Sequence, residues 1–162
     1  MKFYTSFYGN IKNIPEEYKL VSISLDIPEY IENRVDIWDK RLAPNRDIFR
    51  EYKDSPGGSE KRFVQRFKEE VLTKYLITDI LKDWSDKCGL LETYVILCYE
   101  TPDCFCHRHI VSEFLSEKFN VNIQELGVDY NTHELRDYKI KQKENLIYEL
   151  HQLLINFLRQ QV

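Results

Sequence analysis

Thr93-Tyr94-Val95-Ile96-Leu97-Cys98-Tyr99 decides the fold. β-Branched and aromatic residues follow one another with almost no polar interruption, the pattern of a strand buried on both faces, as in parallel sheets covered on each side. The next ten residues, Glu100-Thr101-Pro102-Asp103-Cys104-Phe105-Cys106-His107-Arg108-His109, lead into a helix expected over 106–119, with Ile110, Val111, Phe114, Leu115 and Phe119 on its apolar face. Working outward, residues 3–8 combine aromatics with hydroxyls, and residues 20–25 alternate Leu, Val, Ile and Leu with Ser; both read as further strands. Ser59 is placed to cap a helix in which Phe63, Phe67, Val71 and Tyr75 recur at every fourth position. Thr78 or Asp79 can cap another, with Ile77, Leu81 and Trp84 inward and Gly89 just past its end. Residues 28–56 between the second and third strands read as a long charged loop punctuated by Leu42-Ala43-Pro44, and 121–126 as a last strand.

This alternation predicts a three-layer α/β domain over 1–126, with a short, mainly parallel sheet flanked by helices. A C-terminal helical extension over 127–162 follows, in which Ile140, Ile147, Leu150, Leu154 and Phe157 form a broad apolar stripe. That stripe needs a cover: either the domain itself or a second copy in a homodimer through paired tail helices.

Composition narrows the class of protein. With 162 residues, 43% hydrophobic and 14% aromatic, and only 5 Gly and 5 Pro, the chain suits one folded core rather than disorder. A net charge of -4 argues against an extended nucleic-acid surface. No apolar run approaches the roughly 20 residues that cross a bilayer, so no membrane contact is expected. Met1-Lys2-Phe3-Tyr4-Thr5-Ser6 carries no apolar signal core, and the expected location is cytoplasmic. Cys88, Cys98, Cys104 and Cys106 are then free thiols, and the last three gather around the loop after the decisive strand.

That loop is where chemistry is expected. In open α/β sheets ligands sit beyond the carboxyl ends of strands, where helix N-termini present unpaired N–H groups and a partial positive charge. At about 100° per residue, His107 shares a side with Ile110, Val111 and Phe114, Arg108 falls at the edge and His109 points away.

The residues also carry a resemblance. Tyr4-Thr5-Ser6-Phe7-Tyr8-Gly9-Asn10, Val21-Ser22-Ile23-Ser24-Leu25, Leu42-Ala43-Pro44, Glu51-Tyr52-Lys53, and above all Leu97-Cys98-Tyr99-Glu100 with Cys106-His107-Arg108-His109 resemble the family called Domain of Unknown Function 488, over about residues 2–126. The resemblance implies an α/β domain with a cleft at Cys98, Glu100, Cys106, His107 and Arg108, and it supplies no reaction. Cys104, where the family more usually has Gly or Asp, and the C-terminal extension depart from its pattern.

Several readings of the site stand side by side. In the first, Thr5, Ser6, Cys98, Glu100, Cys106, His107 and Arg108 line a pocket for a small anionic, nucleotide-derived ligand, with Arg108 and the helix N–H groups as anion donors. In the second the chain is an enzyme, acting by thiol chemistry at Cys106 or cleaving an N-glycosidic bond with Glu100. A third gathers Cys98, Cys104, Cys106, His107, His109 and His133 around a metal, against which the Cys104–Cys106 spacing and a missing second ligand pair count; neither metal nor cofactor is expected. A fourth is structural: small buried thiols, His107 on a backbone carbonyl and Arg108 on Glu100. Tyr8 and Asp26 end near the same mouth, and Lys40, Arg41, Arg46 and Trp38 lie in the loop that could cover it.

Overall fold

The computed structural model describes residues 1–55, 59–102 and 104–127. Five strands, β1 (Lys2–Phe7), β2 (Lys19–Ser22), β3 (Ile37–Trp38), β4 (Thr93–Cys98) and β5 (Gln124–Glu125), form one sheet in the order β3-β2-β4-β1-β5. Every pairing is parallel. The decisive strand is central, as its sequence requires: Tyr94 to Cys98 are all buried. Its side chains divide by the period of two, Tyr94 and Ile96 packing into one core and Val95 and Leu97 into the other.

The first core holds four helices, α1 (Arg46–Asp54), α2 (Glu60–Phe67), α3 (Ile77–Cys88) and α4 (His107–Phe119), through Ile48, Phe63, Phe67, Ile80, Trp84, Val111 and Leu115. The second face is covered among the described residues by 3-10 segments at Tyr8–Asn13 and Glu29–Arg34, which contribute Tyr8, Ile11 and Ile31. The three-layer α/β arrangement is therefore as the sequence predicts, with the α-helices of the described residues gathered on one face.

Local signals explain most boundaries. Ser59 caps α2, its Oγ accepting from Arg62 N at 3.3 Å. Gly89 ends α3 at φ 117°, a conformation that favours glycine, and its carbonyl accepts from Tyr94 Oη at 2.7 Å. The α3 start differs from expectation, since Leu76 is the capping residue and no side chain caps it.

The loop reading of 28–56 needs correction, because the segment contains β3 and α1. A two-residue strand shows no alternation, and α1 buries only Ile48, so neither displayed a periodic apolar pattern. The apolar stripe expected from Ile140 to Phe157 in the C-terminal extension, and both readings of what covers it, fall outside the described residues. No described helix is long and apolar enough to cross a membrane.

Candidate functional site

Cys98 closes β4, in register with Phe7 at the end of β1, and Cys106 is the N-cap residue of α4. The loop between them returns the chain to the strand end, so Cys98, Cys106 and His107 meet. Their ligand atoms all lie within 4.8 Å of one another, and all three residues are buried. His107 Nε2 donates to the Ile23 carbonyl at 2.8 Å, which fixes the ring beside Cys98 Sγ, 3.7 Å from Nδ1 and 3.9 Å from Nε2. Phe67 packs on the imidazole with ring centroids 5.6 Å apart. The sequence reading of His107 as inward and held by a backbone carbonyl is thus met in full.

Charge is distributed unevenly over the thiols. The hydrogen bond from Cys98 holds the Cys106 thiol well below its usual range despite burial, with help from His107 and Arg108. The same hydrogen bond, with burial, pushes the Cys98 thiol up. The pair therefore favours a single negative charge over two.

Arg108 departs from its expected place at the helix edge: it is fully buried, at 0% exposure. The cause is Glu125, which β5 sets in register with Thr5 of β1 beside α4. Arg108 Nε lies 3.1 and 3.2 Å from the two Glu125 oxygens, and Nη1 donates to the Glu100 carbonyl at 2.6 Å. Nη2 is 3.0 Å from Glu125 Oε1 but is not aimed along a hydrogen bond, and remains a buried donor without a hydrogen-bond partner. Thr5 Oγ1 donates to Glu125 Oε2, and His109 Nε2 is 3.6 Å from that oxygen. Burial opposes the charge on both members of the pair. The Cys106 charge and Glu125 nevertheless raise Arg108, while His109, Arg108 and Thr5 hold Glu125 below the usual carboxylate range. Sequence reasoning missed Glu125; a lone carboxylate in the short last strand was the only signal.

A second cluster lies at the ends of β1 and β2, on the opposite face of the sheet from the thiols. Tyr8 Oη lies 2.7 Å from Ser22 Oγ and also hydrogen-bonds Ser24, whose Oγ donates to the Asp26 carbonyl at 2.8 Å. Burial pushes the Tyr8 phenol up to about 12, against the serine hydrogen bonds. Tyr99 meets the Tyr8 ring edge-on at 4.8 Å, leaving Tyr99 at the exposed rim.

Other expected site residues lie apart from the thiols. Ser6 is on the opposite face of the sheet, donating to the Leu126 carbonyl at 2.9 Å and accepting from Asn10 at 3.1 Å. Glu100 is exposed, and its peptide carbonyl, not its carboxylate, meets Arg108. Cys104 is exposed and accepts from Thr101 Oγ1 at 3.3 Å. Asp26 and Arg46 are exposed, and His133 lies outside the described residues. Trp38, Lys40 and Arg41 line an open groove of about 510 Å³ along β3 and α3 instead of covering the thiols. There Arg41 pairs with Asp39 and Asp83, and Lys40 Nζ sits 3.8 Å above the Trp38 ring.

Fold and site together define a parallel α/β domain whose central strand and following helix bring two thiols, an imidazole and a guanidinium to one strand end. The chain belongs to the family described as DUF488-N3a, Active DUF488-N3 subclade, which it matches over residues 10–119. That span includes the β4–α4 segment and stops before Glu125. No curated protein and no solved structure matches the chain.

Proposed function

We propose that the strand-end pocket holds a small anionic, nucleotide-derived ligand. The observation that carries this reading is Arg108 Nη2, a buried donor with no hydrogen-bond partner in the first turn of a helix whose N-cap side chain makes no capping bond. Buried donors are rarely left unmade, and an anionic acceptor at a helix N-terminus would meet both the guanidinium and the first-turn amides. The exposed ring of Tyr99, at the rim of the same strand ends, suits the base of such a ligand. Adenosine monophosphate titrated calorimetrically tests this. Arg108→Ala alone would strand Glu125, so Arg108→Met with Glu125→Gln is the informative variant. It should bind about 1.5–3 kcal/mol more weakly if Nη2 makes a charge-assisted contact. Equal affinity in the folded variant would refute the reading.

A second reading, covalent thiol catalysis at Cys106, is favoured by the thiolate that Cys98, His107 and Arg108 stabilise and by the word "active" in the family's description. Cys106→Ser that keeps ligand affinity and abolishes turnover would establish it. Glycosidic cleavage by Glu100 predicts the same split for Glu100→Gln. Ligand released unchanged by heat from freshly purified protein supports simple binding.

A further inference from the structure

We propose that Cys98, Cys106 and His107 form a three-ligand site for a soft divalent metal ion, with zinc the natural occupant. The donor set is two sulfurs and one nitrogen, the combination that zinc takes at tetrahedral sites, and three protein ligands leave one position for water or a bound molecule. The site goes beyond the anion reading and stands without it, since Arg108 is not among the donors.

Geometry carries the case. Ligands held at about 2.3 Å (sulfur) and 2.1 Å (nitrogen) around a tetrahedral ion lie about 3.6 Å from each other. Cys98 Sγ and His107 Nδ1 are 3.7 Å apart, and the three donor atoms all fall within 4.8 Å. Nε2–H donates to the Ile23 carbonyl at 2.8 Å, which leaves Nδ1 as the donor atom of the ring, with Cys98 Sγ 3.7 Å from Nδ1 and 3.9 Å from Nε2. Phe67 against the ring keeps it there. Each ligand is also fixed by regular structure, Cys98 by the central strand and Cys106 and His107 by the start of α4.

Charge balance agrees. A dication with two thiolates is neutral, and the adjacent buried Arg108–Glu125 pair is neutral as well, so the filled site adds no net charge to the interior. Metal entry displaces whatever protons the two thiols carry, so that Cys98 and Cys106 both form their metal–sulfur bonds as thiolates. The linear spacing hid this set. Cys104 invited grouping with Cys106, whereas the fold selects Cys98 from the strand and leaves Cys104 exposed.

The test uses the full-length, reduced protein with Co²⁺ and Zn²⁺ alone. The site predicts one Co²⁺ per chain, with tetrahedral d–d absorption and a charge-transfer band of two-thiolate intensity, both bleached by stoichiometric Zn²⁺. Cys98→Ser, Cys106→Ser and His107→Gln should each weaken Co²⁺ binding roughly 100-fold or more, whereas Cys104→Ser and His109→Gln should leave it unchanged. In case a buried-site variant does not fold, wild-type protein supplies an independent readout: one equivalent of Zn²⁺ should raise the thermal unfolding midpoint of the reduced protein. Absence of stoichiometric metal at micromolar free Zn²⁺, loss of binding in Cys104→Ser, or an unfolding midpoint that Zn²⁺ leaves unmoved would overturn the site. These outcomes are read without nucleotide, so failure of the metal site and failure of the anion reading remain separate results.

Discussion

At the scale of single residues, burial decides what each group can do. Arg108 and Glu125 are both nearly inaccessible, so removing one partner leaves the other's charge without compensation. Arg108→Ala should therefore cost about 3–5 kcal/mol in urea unfolding, and the double variant with Glu125→Gln should recover much of the loss. Equal stability of Arg108→Ala and wild type would mean that the pair contributes nothing. Gly127 offers a second case. Its φ is 89°, and a Cβ there would collide with Asn10 Nδ2, which donates to the Leu126 carbonyl and Ser6. Gly127→Ala should destabilise by about 1–3 kcal/mol, read as a lower urea midpoint with an unchanged slope. The inward turn of His107 was legible from helical phase alone. The burial of Arg108 was not, because it depends on a carboxylate seventeen positions away that arrives through sheet pairing.

Among the elements, strong local patterns were readable and weak ones were not. The stripe of Phe63 and Phe67 and the Ser59 cap announced α2, although Val71 lies in the π-helical turn that follows and Tyr75 beyond both, exposed. Ser59→Ala should cost about 0.5–1 kcal/mol, the low end for a cap because the bond is long and exposed. The edge of the sheet behaves differently. Asp39 accepts from Arg41 and from Trp84 Nε1 at 2.8 Å, linking the 3-10 turn after β3 to α3. Burial alone would raise this carboxylate, but hydrogen bonds from Arg41 and Trp84 outweigh it and its pKa is lowered on folding. The unfolded chain therefore binds its proton at higher pH than the folded chain. The stabilisation is present above the ordinary carboxylate range and is lost as pH falls through the depressed folded value. Unfolding free energy measured from pH 6 downward should fall less steeply in Asp39→Asn than in wild type. Parallel slopes would remove Asp39 from the acid response.

On the scale of the whole molecule, a parallel sheet brings residues remote in sequence to one end. β4 supplies Cys98, α4 supplies Cys106, His107 and Arg108, the ends of β1 and β2 supply Tyr8, Ser22 and Ser24, and β5 supplies Glu125. The architecture was legible because a doubly apolar strand followed by a helix has few other solutions. Glu125 and the separation of Cys104 from Cys106 were not legible, since both depend on which side of a loop or strand faces inward. The proposed function requires an anion to bind at the N-terminus of α4. Amide chemical shifts of ¹⁵N-labelled protein titrated with adenosine monophosphate read this out. Binding there predicts saturable shifts concentrated at the His107 and Arg108 amides and the Arg108 side-chain N–H groups. Shifts confined to the groove around Trp38 and Lys40, or none at millimolar nucleotide, would contradict it.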